Sequence, residues 1–94
     1  MTREEALERA ERRVWCYMNK GDIDYYFDRY NLVVRKPDGK KKSKPTRSEK
    51  EEALINYYTN EMCNTPDEVV EKQQKAYEDR FKYDIEVITG DGRR

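Results

Sequence analysis

The stretch Lys82-Tyr83-Asp84-Ile85-Glu86-Val87-Ile88-Thr89-Gly90 decides the fold class. Tyr83, Ile85 and Val87 alternate with Asp84, Glu86 and Ile88, and this near-period of two predicts a strand over 83–89. A second short, β-branched run, Leu32-Val33-Val34, predicts a strand over 32–36. Between the two runs the pattern is helical. The reading is therefore α+β, with about four short helices packed on a small two- or three-stranded antiparallel sheet.

Upstream of the deciding stretch, Thr65-Pro66-Asp67-Glu68 is a helix start. It has a capping Thr, Pro at the first helical position, and acids on the positive end of the dipole. Val69, Val70, Gln73, Tyr77 and Phe81 mark its expected buried side. The helix before it begins at Ser48 or Thr46, with Glu51 or Glu49 at the reciprocal position. Ala53, Leu54, Tyr57, Tyr58 and Met62 carry it to about residue 63.

At the N-terminus Thr2 and Glu5 form a capping-box pattern. Leu7, Ala10, Val14, Tyr17 and Met18 recur at helical spacing, with Trp15 beside them. Glu5–Arg9 and Glu8–Arg12 are well-oriented i,i+4 pairs, and Asn19-Lys20-Gly21 reads as a stop. Asp22 is expected to cap a short second helix whose apolar face is Ile23, Tyr26, Phe27 and Tyr30, ended by Asn31. Lys36-Pro37-Asp38-Gly39 fits a type I turn, with Gly39 supplying positive φ after it. Its return leg, 40–44, has no apolar face and is at best an edge strand.

The chain has 94 residues, 35% of them hydrophobic and 43% charged, which is enough for one domain, 1–94, with a meagre core. Eight Tyr, two Phe and one Trp supply the missing bulk. Formal net charge is zero but unevenly placed: Arg35, Lys36, Lys40, Lys41, Lys42, Lys44 and Arg47 face a single acid, Asp38, within 31–47, while the C-terminal half is acidic. Such a dipole steers partners. The basic arm 36–45 has almost nothing to hold it down and is expected to be mobile. The tail 90–94 is expected to fray.

The chemistry is bounded by what is missing. The chain has no His, and its two cysteines, Cys16 and Cys63, are far apart. This leaves no usual metal set and no imidazole base. Cys16 reads as a small buried apolar residue. Asp22 to Asp28 resembles the opening of a calcium loop but lacks its Gly and terminal Glu. Ser43 and Ser48 have no nucleophile context, and the four glycines make no phosphate loop. The reading is therefore no enzyme, no metal and no cofactor. With neither a signal region nor a run of ~20 apolar residues, the expected location is the cytoplasm.

What remains is binding. The adjacent pairs Tyr25-Tyr26 and Tyr57-Tyr58 put one ring of each pair on a different helix face. With Tyr26 and Tyr57 inward, Tyr25 and Tyr58 become surface rings, flanked by Asp24, Asp28 and Glu61, and tyrosine is favoured at interfaces. The leading expectation is a small non-catalytic intracellular protein that binds a larger protein partner. By analogy of size and charge, this extends to a viral or mobile-element inhibitor of a host nucleic-acid-handling machine. One alternative is direct nucleic-acid binding through Arg35, Lys36, Lys40, Lys41, Lys42, Lys44 and Arg47. That segment contains no aromatic for base stacking. A second alternative is a homo-oligomer that binds a small ligand.

Overall fold

The computed structural model describes the backbone of residues 1–90 and the side chains of residues 1–83. It is all-helical. The helices are α1 (Arg3–Tyr17), α2 (Lys20–Arg29), α3 (Arg47–Cys63) and α4 (Asp67–Gly90). Among the described residues no sheet forms, and the only strand-like pairing is one antiparallel bridge, Arg35 to Lys41. The α+β expectation is overturned on this point.

Both expected strands fail for the same reason. Residues 83–89 continue α4 to Gly90. No Gly or Pro interrupts the chain between Pro66 and Gly90, so propagating the helix adds one backbone bond per residue. A strand there would need a partner. The 32–36 run cannot supply one, because its own pairing stops after the Arg35–Lys41 bridge and a bond from Lys42 N to Val34 O at 2.7 Å. The expected fraying beyond Gly90 lies outside the described residues.

The expected start signals of α1 and α3 match the structure, and those of α2 and α4 do not. Thr2 with Glu5, and Thr46 with Glu49, each form reciprocal capping boxes that start α1 and α3. At α2 the roles shift by three residues. Asn19 is the cap and Asp22 closes the box from the third helical position, so α1 ends at Tyr17, with Met18 extended behind it. Asn31 ends the segment after α2 with φ of 53°, and Gly39 takes φ of 88° after the 36–39 turn. At α4 the Thr65 hydroxyl donates to the Glu61 carbonyl, closing α3 rather than capping α4, and Val69 N and Val70 N donate to Pro66 O.

The core is a seam between α1 and α3. Ala6, Ala10, Val14 and Met18 face Leu54, Ile55, Tyr58 and Met62, with Ile23 entering from α2 and Val70 from α4. The two alanines let the helix backbones approach. Each fully buried aliphatic such as Leu54 contributes about 1.5–3 kcal/mol. On α4 the expected apolar face is displaced at two of its five positions. Val70 is buried, Tyr77 and Phe81 are half-buried, and Val69 and Gln73 are exposed, while Gln74 is buried. Cys16, expected inside, is exposed.

Where α1 meets α4 the packing is polar. Arg9 Nε pairs with Glu71, Arg13 Nε donates to Gln74 Oε1 at 2.9 Å, and the Tyr17 hydroxyl donates to Glu78 at 3.4 Å. The α1 residues step by four and the α4 residues by three and four, so the two helix faces match rung for rung. Arg9 thus spends its charge on α4 rather than on an i,i+4 salt bridge with Glu5, though its Nη1 still donates to the Glu5 carbonyl.

Candidate functional site

Two features stand out once the helices are in place: a polar, aromatic cleft between α1, α3 and α4, closed by Tyr30 just after α2, and an acidic groove between α1 and α3.

The cleft has a volume of about 220 Å³ and is lined by Arg13, Tyr30, Tyr57, Tyr58, Glu61 and Tyr77, among others. Arg13 is only 3% exposed. Its guanidinium carbon lies 4.8 Å from the Tyr58 ring centre and 4.5 Å from that of Tyr77, a cation–π arrangement on two faces. Among the described residues no carboxylate pairs with it, and its Nη2 is buried without a hydrogen-bond partner. Burial pulls the guanidinium down from its ordinary range, against the attraction of Tyr77 and Tyr58. It nevertheless stays charged at neutral pH.

The Tyr58 hydroxyl is the hub of the tyrosine cluster. It donates to the Tyr30 hydroxyl at 3.2 Å and lies 3.3 Å from that of Tyr77. Burial, followed by these hydrogen bonds, pushes the Tyr58 phenol far above its usual range, and burial also raises Tyr77. Tyr57 and Tyr30 stack with ring centres 4.3 Å apart, and Tyr26 stacks on the other side of Tyr30 at 5.7 Å. Arg80 closes the far end, donating to the Tyr26 hydroxyl at 3.3 Å and pairing with Asp22.

This arrangement corrects the expected surface. Tyr58, expected to be exposed, is 3% exposed and sits at the centre of the core. Tyr25 does remain at the surface, 56% exposed, where its hydroxyl accepts from Arg29. Asp24 pairs with Lys50 at 2.9 Å, Asp28 is exposed, and Glu61 is exposed at the mouth of the cleft. Tyr25 and Tyr58 therefore do not form one surface. The reason is register: Tyr58 falls in line with Leu54, Ile55 and Met62, the stripe that faces α1.

The basic arm is partly engaged. Lys42 pairs with Glu49 at 2.7 Å and Arg47 with Glu51 at 3.7 Å, both on α3. Arg35 donates to the Gly39 carbonyl across the turn. Lys36, Lys40, Lys41 and Lys44 are exposed.

The acidic groove was not legible as a site. Leu7, Glu11 and Trp15 recur every four residues on α1 and face Glu51, Glu52 and Ile55 of α3. Trp15 is 59% exposed and Leu7 39%, although the chain has one Trp and few aliphatics. In the folded chain Ala6, Ala10 and Val14 fill the core stripe, and Leu7 and Trp15, each one residue on, lie beside it.

No known protein family, curated protein or solved structure matches this chain. No described helix is long and apolar enough to cross a membrane.

Proposed function

We propose that the protein is a binding module that holds a larger protein partner in the α1–α3 groove. The exposure of Trp15 carries this reading. A chain with so little apolar material leaves its one Trp 59% exposed, flanked by Leu7 and the carboxylates of Glu11, Glu51 and Glu52. Burying that ring against a partner gains large contact area, and Trp is enriched among residues that dominate binding energy. Glu51 also pairs with Arg47, so the preference for a partner segment that mixes apolar and cationic side chains rests on Glu11 and Glu52.

This reading is favoured over nucleic-acid binding by the arm, since Lys42 and Arg47 are paired with Glu49 and Glu51 of the same chain. The test is capture of a stoichiometric partner on immobilised protein, followed by titration of that partner against Trp15 fluorescence. We expect Trp15→Ala to weaken affinity about 30-fold or more, as for a residue worth ~2 kcal/mol at an interface. Glu11→Lys combined with Glu52→Lys slows association. Capture and affinity unaffected by both variants would overturn the reading. So would salt-sensitive retention on DNA that depends on Lys36, Lys40 and Lys41.

A further inference from the structure

We propose that the cleft around Arg13 is a binding site for a carboxylate group. Arg13 has an incomplete set of partners. Arg13 is buried to 3% exposure, yet its described partners are a neutral amide, Gln74, and the faces of Tyr58 and Tyr77. Its Nη2 carries donors that no described atom accepts. Buried guanidinium groups are ordinarily neutralised by a carboxylate or phosphate, often through two parallel bonds. Here no carboxylate among the described residues takes that position.

The cleft supplies what an anion needs. Arg13 lines it together with Tyr30, Tyr57, Tyr58 and Tyr77. The Tyr58 hydroxyl already lies within hydrogen-bond distance of the hydroxyls of Tyr30 and Tyr77. A hydroxyl both donates and accepts, so the chain can turn a proton toward an incoming oxygen. The stacked rings of Tyr30 and Tyr57, with centres 4.3 Å apart, give the cleft flat walls.

A carboxylate fits better than a phosphate. The cleft, at about 220 Å³, accommodates a small planar group, and Glu61 stands in its lining. A dianion there meets stronger repulsion from Glu61 than a monoanion does. The same chemistry arises from a free small acid or from a peptide's terminal carboxylate.

The test is side-chain NMR of arginine-labelled protein at constant ionic strength. The probes are acetate, inorganic phosphate, and a pair of short peptides that differ only in a free or amidated C-terminus. We expect the Arg13 Nε–H and the ring resonances of Tyr58 and Tyr77 to shift saturably with acetate. Phosphate should give a shift at least several-fold weaker at equal concentration. A free-acid peptide binding tenfold or more tighter than both acetate and its amide assigns the site to chain termini. Equal binding by acetate and the free acid assigns it to small acids. Tyr77→Phe, which keeps the ring and removes one hydroxyl, should weaken acetate binding several-fold. Arg13→Gln should abolish it, and if that variant does not fold, the Tyr77→Phe titration decides. Absence of a saturable shift in folded wild type, or a shift unchanged in Tyr77→Phe, would overturn the proposal.

Discussion

Arg13 and Gln74 are joined in a closed relay: Arg13 Nε donates to Gln74 Oε1, and Gln74 Nε2 donates to the Arg9 carbonyl one turn back, both at 2.9 Å. Gln74 thereby connects a side chain and a backbone carbonyl of α1 to α4. With Val70 as the one core aliphatic that α4 provides among the described residues, this relay is a main attachment of α4. Gln74→Leu should cost about 3 kcal/mol, because it strands a buried charge. Gln74→Glu should cost less, since it gives Arg13 a carboxylate while losing the bond to Arg9. Denaturant midpoints of the two variants check this ordering.

The tyrosine cluster makes stability sensitive to alkali. Folding raises the pKa of Tyr26, Tyr57, Tyr58 and Tyr77 above the ordinary phenol value of 10.0, with burial the first cause in each. A group with a raised folded pKa contributes stability that is complete below its unfolded pKa and is lost as pH rises above it. Stability should therefore hold to about pH 10 and fall steeply beyond it. In near-ultraviolet titration these phenols should ionise late, together with loss of helical signal. Four phenols titrating reversibly near their ordinary value in intact protein would contradict this.

The acid limb has the opposite sign and arises at two helix starts and at Glu78 within α4, which the bond from Lys82 holds low. Glu5 is held below the ordinary value of 4.5, first by the Thr2 backbone bond, and Glu49 likewise, first by Lys42. Their contribution is present above the unfolded pKa and fades as pH falls through the depressed folded values. Glu5→Gln and Glu49→Gln should flatten the loss of stability below about pH 4.5. Thr46→Ala, which removes the hydroxyl that accepts from Glu49 N, should cost about 1 kcal/mol at neutral pH. Thermal melts across pH check both effects.

The basic arm is held at few points. Lys42 N donates to Val34 O and Gly39 N to Lys36 O. Amide exchange should be slowed at Lys42 and Gly39 and fast at Lys41 and Lys44. Uniform protection from Lys40 to Lys44 would contradict the expectation of a mobile segment. Gly39→Ala forces an L side chain to φ of 88° and should cost about 1 kcal/mol. It should disrupt the Arg35–Lys41 bridge while leaving the helical signal intact.

By itself, local sequence was enough to place the start of α1 and the turns at Asn31 and Gly39, and it narrowed the start of α3 to Thr46 or Ser48. Thr2, Thr46, Asn31 and Gly39 act through bonds and dihedrals within a few residues of their own position, so their meaning is legible locally. Local sequence did not determine what fills the core: aliphatic side chains dominate there, and of the eight tyrosines only Tyr58 is buried, the others lying half-buried or exposed around it. Only tertiary structure decided that 83–89 stays helical, because a strand requires a partner elsewhere in the chain and 32–36 does not provide one. Tertiary structure likewise placed Tyr58 inside, Cys16 and Trp15 outside, and Arg13 between two rings. Periodicity locates a helix face only to within a residue or so, and on a 3.6-residue turn one residue is about 100° of rotation. That difference separates core from surface, and it is fixed only when α1, α3 and α4 pack.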